Sequence, residues 1–206
     1  MGDMDAASDE LIALVAHYYD AQSTQTDGGP NTDDMIGALA AFAADQLISL
    51  CVSPENIKES SRWIIGNEVD DLLYRDENKD TMYFVMTSGS LATGMAPGDL
   101  PEMEPIVARA SMGDELAAVP FLSVKEHYYP TDWPPNAAVR FRAQVNAILD
   151  THGVKGEDRP VTCAFATAKM IRIATEKYVD PMVPLLIALE TVAGMARMTP
   201  LQKEID

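Results

Sequence analysis

Cysteine is scarce, with two among 206 residues. Cys51 and Cys163 lie far apart, each inside an apolar run, which is how buried free thiols usually occur. A disulfide framework is excluded, and a reducing cytoplasm is the expected compartment. Basic residues are also few: 15 Lys and Arg stand against 32 Asp and Glu, for a net charge of -17. Phosphate backbones and anionic membrane surfaces would be repelled, so nucleic acid and membrane are not expected partners. Histidine is limited to His17, His127 and His152. No Glu-x-x-His, His-x-x-x-His or Cys-x-x-Cys pair occurs, which removes a histidine-rich metal site. The opening residues carry neither a basic segment nor an apolar core, so they do not form a secretory signal. Unbroken apolar runs long enough to span a bilayer are missing too. Met35 to Val52 is interrupted by Asp45 and Gln46, and Pro181 to Ala196 is short and contains Pro184 and Glu190. Both read as buried helices.

What is present is helical patterning at globular proportions, 47% hydrophobic and 23% charged, enough to close a core. The acidity is concentrated early: residues 1 to 100 hold 18 acids and 4 bases, residues 101 to 206 hold 14 and 11. Residues 1 to 7 are expected to be disordered, and Ser8 to cap a first helix with the stripe Leu11, Leu14, Val15 and Tyr18. The stretch QSTQTDGGPN is a loop by composition. Thr32 or Asp33 then caps a helix to Cys51 that is apolar on nearly every side, which predicts a central position. Ser53-Pro54-Glu55 signals another helix, reaching about Tyr74. TMYFVM is rich in strand-favouring residues, yet no partner strand is evident, so Asp80 to Leu91 is read as helix. Prolines and glycines mark long irregular loops over 93–105 and 120–135, with a short helix between them. Helices then follow over Asn136 to Thr151, Arg159 to Tyr178, and from Pro181 to Met198, the last two as an antiparallel hairpin. The expected fold is a single all-α domain, a bundle of six or seven helices around Asp33 to Cys51.

Two motif fragments fail on inspection. Asp76-x-Asn78-x-Asp80 copies the first three calcium ligands of an EF loop, but Thr81 stands where the turn needs Gly and Thr87 where a bidentate Glu belongs. The run Thr87 to Gly98 has glycines and hydroxyls but lacks the Lys of a P-loop.

Carboxylates on helices give the sharper lead. At 100° per residue, Glu68 falls about 20° around the wheel from Ile57, within the arc of Ser61, Ile64, Ile65 and Leu72, with Asp71 at the arc's edge. Glu190 falls between Val183 and Leu186, and Arg172 lies near Val161, Phe165 and Ala168. Buried charges must pair or bind something. One reading is an internal ion pair of Arg172 with Glu190 or Glu68. The other takes Glu68 and Asp71 as magnesium ligands, because residues three apart share a helix face and hard cations prefer carboxylate oxygen. Glu68-x-x-Asp71 resembles the second half of the paired motif in all-helical nucleotide pyrophosphohydrolases of the MazG and dimeric dUTPase type. That resemblance implies magnesium-dependent hydrolysis of a nucleotide, though it covers four residues and the Glu-x-x-Glu of the preceding helix has no counterpart. A further candidate is the loop with His127, Tyr128 and Trp133, whose aromatic faces and imidazole suit a binding pocket or the cap of a bundle.

Two functional classes follow. The first is a non-enzymatic, self-associating helical protein, an adaptor or regulatory subunit, forming a homodimer through the apolar helix Pro181 to Met198. The second is a magnesium-dependent small-molecule or nucleotide hydrolase or binder built on the interior carboxylates.

Overall fold

The structure is a computed structural model that describes residues 2–22, 31–52, 67–75, 81–112, 122–177, 180–198 and 204. The QSTQTDGGPN loop, the helix start at Ser53-Pro54-Glu55, the arc from Ile57 to Ile65 and the acidic stretch from Asp76 to Asp80 lie outside these residues. Among the described residues there are helices and no strands. They are α1 (Met4–Gln22), α2 (Thr32–Cys51), α3 (Asn67–Asp70), α4 (Met82–Leu91), α5 (Met103–Met112), α6 (Pro134–Thr151), α7 (Asp158–Lys177) and α8 (Met182–Met195). The all-α bundle expected from the patterning is therefore present, and α4 forms where strand propensity competed with it. Thr81 supplies the cap, its hydroxyl accepting the Phe84 N–H.

The N-terminal expectation needs correcting. Helix α1 starts at Met4 rather than after Ser8, because Asp3 acts as the cap and accepts the Ala6 N–H at 3.0 Å. Met4 to Ala7 are ordered turns of that helix, and Ala7 and Ser8 are buried. The Asp3 N–H also donates to the His152 carbonyl, which ties this end to the turn after α6. The irregular segments hold short 3-10 turns at Pro97–Asp99 and Glu126–Tyr128, and α5 begins at Met103, inside the expected loop, with Pro105 in its first turn.

Helix α2 is the centre. Helices α1, α6, α7 and α8 pack on it, and every residue from Asp34 to Ile48 is buried. Its small side chains, Ala38, Ala40, Ala41, Ala43 and Ala44, let neighbouring backbones approach closely, and Phe42 meets Phe141 of α6 edge-on. The two polar residues in its middle are satisfied across the same seam. Asp45 takes both Nε and Nη2 of Arg142 at 2.9 and 2.7 Å, while Gln46 joins Asn146 and Arg159. Helix α8 is covered by α2, α5 and α4 and also touches α7 across the short link. Leu185, Ile187, Leu189 and Val192 are fully buried within one chain. Its apolar sequence is thus satisfied internally.

Among the described residues one helix, α2, is long and apolar enough to cross a membrane by length and composition, and 83% of that window is buried inside the fold.

Candidate functional site

The segment 122–133 meets polar and titratable groups from α1, α2, α5, α6 and α8. It leaves its apolar anchor Leu122, turns through Glu126–Tyr128 and ends at Trp133, where the prolines of α6 begin. Each end is held by a buried carboxylate from a central helix. Near the start, Glu190 of α8 accepts the Ser123 N–H at 2.6 Å and Arg109 Nη2 at 2.6 Å. Near the end, Asp34 in the first turn of α2 accepts the Asp132 N–H at 2.9 Å and the Thr131 hydroxyl at 2.8 Å, and Asn31 Nδ2 also donates to it. Asp132 receives the Tyr19 hydroxyl at 2.6 Å and the Arg140 guanidinium at 2.6 and 3.3 Å. That guanidinium lies over the Tyr18 ring and turns its other edge to Glu204.

The electrostatics of this end are unusual. Burial, aided by the neighbouring Asp34 charge, pushes the Asp33 carboxyl up to about 6. Burial also raises Asp34, against the opposing pull of its hydrogen bonds from Asp132 and Thr131. Burial and the Asp132 carboxylate hold Tyr19 firmly as a phenol, so it serves as a donor. Asp33 can therefore change charge between pH 5 and 7, within a set of groups that are otherwise fully engaged.

The sequence candidates are only partly gathered here. His127 is exposed, with its ring 4.0 Å from that of Tyr128, which packs partly against the core; Trp133 is half-buried at the N-cap of α6. Glu190 is buried as expected, but its cation is Arg109 of α5 and not Arg172. Arg172 is exposed and meets Glu176 one turn on at 3.6 Å, so it contributes no internal pair.

Glu68 and Asp71 are exposed, against the expectation that the wheel placed them inward. The buried residues of this stretch are Val69, Asp70 and Leu73. A π turn over Asp71–Arg75 takes Asp71 out of the 3.6-residue period, while the Ile57 to Ile65 arc that set the phase for Glu68 lies outside the described residues. The internal carboxylate is Asp70, paired with Arg197. Glu68→Gln is accordingly expected to change unfolding free energy by less than about 0.5 kcal/mol in a urea titration, the usual range for a surface substitution. A loss above about 2 kcal/mol would mean that Glu68 is buried.

Among the described residues, no three His, Cys, Asp or Glu side chains are disposed to hold a metal ion. The two thiols are not activated: burial pushes Cys51 up to about 11, with the Glu68 and Glu157 carboxylates adding to it, and burial raises Cys163 further. Sequence reasoning missed Asp34, Asp132, Tyr19 and Arg140. The Asp33-Asp34 pair was visible as helix-start chemistry, but nothing local indicated that residues almost 100 positions apart would meet. No protein family, curated protein or solved structure matches the chain.

Proposed function

We propose that the chain is a non-enzymatic helical protein that works by association, as an adaptor or regulatory subunit, and that it forms a homodimer. The observation that carries this reading is the exposure of Phe84, Phe165 and Ile173, at 61%, 42% and 37%, on α4 and α7, two helices packed against each other. Large apolar side chains left in water on adjoining helices favour a partner surface. The homodimer face first expected, Pro181 to Met198, offers the half-buried apolar residues Pro181, Met182, Val183, Leu186 and Met198 for an outside contact. We therefore place the contact on the α4 and α7 side. A cytoplasmic location belongs to the same reading, supported by the two free thiols.

The magnesium-dependent hydrolase reading has less support. Asp45, Asp70, Asp132 and Glu190 are each engaged by an arginine, so a cation would have to displace a partner already in place.

Sedimentation velocity at about 10 µM chain should give a dimer. Because two chains of charge -17 repel, added salt should strengthen the association, and the dimer fraction should rise between 50 and 500 mM NaCl. Phe165→Glu with Ile173→Glu should yield a folded monomer, whereas Leu186→Glu should leave the dimer intact. Dissociation by Leu186→Glu alone, with helicity retained, moves the interface to α8. A wild-type monomer at 100 µM, or magnesium-dependent hydrolysis of nucleoside triphosphates, would overturn the proposal.

A further inference from the structure

The run from Thr87 to Gly98, which fails as a P-loop, belongs to a longer stretch of unusual composition. Residues 81–98 contain no Asp, Glu, Lys, Arg or His, although 23% of the chain is charged. The apolar stretches of α2 and α8 are poor in charge because they are buried. Burial does not account for this one, since 11 of its 18 residues are exposed or half-buried. Phe84, Ser88 and Ala92 are among the exposed ones, and they stand four residues apart along one row of α4 and its C-cap.

The rest of α4 is fixed in place. Met82, Val85 and Met86 are buried, and Gly89 lies against the Ala168 backbone. Side-chain hydroxyls around the row are already used within the chain. Ser88 Oγ donates to the Val85 carbonyl at 2.6 Å, Thr93 Oγ1 to the Ser90 carbonyl at 2.8 Å, and the Tyr83 hydroxyl to the Pro101 carbonyl at 3.0 Å. Covering the row would strand none of these donors, which keeps the cost of removing water low.

The charge of the whole chain says what fits such a face. A partner drawn electrostatically to a chain of net charge -17 would be basic and would sit on acidic surface. A charge-free face suits a partner that is itself acidic, because like charges brought together oppose contact. A second copy of this chain is such a partner.

We propose that α4 crosses α4 of a second copy antiparallel, on a twofold axis at Ser88. The pairing rests on the homodimer reading and narrows it to one helix. Ser88 is the middle of the exposed row, so a twofold there sets Ser88 against Ser88 and each Phe84 against Ala92 of the other copy. A large ring then meets a small side chain at both ends, and two small side chains let the helices approach at the centre. Two ten-residue helices alone bury less than the roughly 1,200 Å² in total of a stable pair, so Phe165 and Ile173 of the adjoining α7 are needed to complete the contact.

Charge exchange at the axis tests the pairing. In sedimentation velocity, Ser88→Glu and Ser88→Lys should each weaken dimerisation by at least about tenfold, because each sets two like charges face to face. An equimolar mixture of the two variants should recover the dimer. Phe84→Ala should also weaken it by about tenfold, with the melting temperature little changed because the ring is 61% exposed in the single chain. Far-UV circular dichroism of each variant confirms that the helices are intact. A wild-type dimer that tolerates both Ser88 variants leaves the homodimer standing and overturns the α4 crossing. Two monomeric variants that stay monomeric when mixed also overturn it, since Ser88 would then not face its own copy. A wild-type monomer at 100 µM removes the crossing together with the homodimer and leaves the face to a different chain.

Discussion

Asp70→Asn is expected to lower the unfolding free energy by about 3–5 kcal/mol, the usual consequence of stripping one partner from a buried ion pair. Asp70 and Arg197 meet at 2.5 Å with side chains 11% and 10% exposed, and Arg75, 3.4 Å from Asp70, is too exposed to neutralise the site alone. Arg197 already has one buried nitrogen, Nη1, without a hydrogen-bond partner. Once the carboxylate is gone, its charge is left in an interior that offers little else. The reverse change, Arg197→Met, should cost a similar amount by stranding Asp70. Removing both charges together, as Asp70→Leu with Arg197→Met, should cost less than either single change, because no uncompensated charge remains. Urea denaturation of the three variants supplies the cycle, and single costs below about 1 kcal/mol would show that water reaches the pair.

The second large effect is steric. Gly89→Ala would place a methyl group 2.4 Å from the Ala168 carbonyl oxygen and 3.0 and 3.1 Å from the Ala168 carbonyl carbon and Cα. All three atoms are backbone, in the middle of α7, and cannot rotate away. Helix propensity alone would make the substitution favourable by about 1 kcal/mol. Here α4 and α7 would have to separate, disturbing the buried Val85, Met86 and Ala168, so a net loss of about 3 kcal/mol is expected at the upper end of overpacking costs. A thermal melt with Tm unchanged or raised would refute the close crossing. The same substitution at Gly37 meets proline side chains at 3.1 and 3.2 Å and should be milder.

The elements were legible because their signals are local. Helix α2 declared itself by apolar residues on nearly every side and α8 by a run with almost no polar face, while α6 was expected from Asn136 and starts two residues earlier, with Pro134 and Pro135, assigned to the loop, in its first turn. Even α4 was recovered, since a lone strand would leave its backbone unpaired. The site was far less legible. The wheel that turned Glu68 inward was phased on Ile57 to Ile65, outside the described residues, and the π turn from Asp71 breaks the 3.6-residue period only beyond Glu68. Glu190 was correctly placed inside, but its partner Arg109 lies on a short helix whose limits the sequence marked only by flanking prolines. Asp34, Asp132 and Arg140 are brought together by how α1, α2 and α6 pack, and no pattern within one helix encodes that meeting. For α8, one sequence property fits either an interface or an interior position, and only packing within the chain decides between them.

Helix α2 also imposes an order of events on synthesis. It is complete once Cys51 has been made, but α6, which covers one side, begins at Pro134, and α7 and α8 come later still. About 80 residues separate the two points, so at roughly 5–20 residues per second the helix waits roughly 4–16 s for its first large C-terminal partner. During that interval α1, the described helix made before it, can offer cover on one side, and a segment apolar enough to pass for a membrane span stays within reach of the targeting and chaperone machinery at the ribosome exit. Asp34, Asp45 and Gln46, which become internal polar contacts in the finished protein, are in the nascent chain the features that make this segment a poor candidate for insertion.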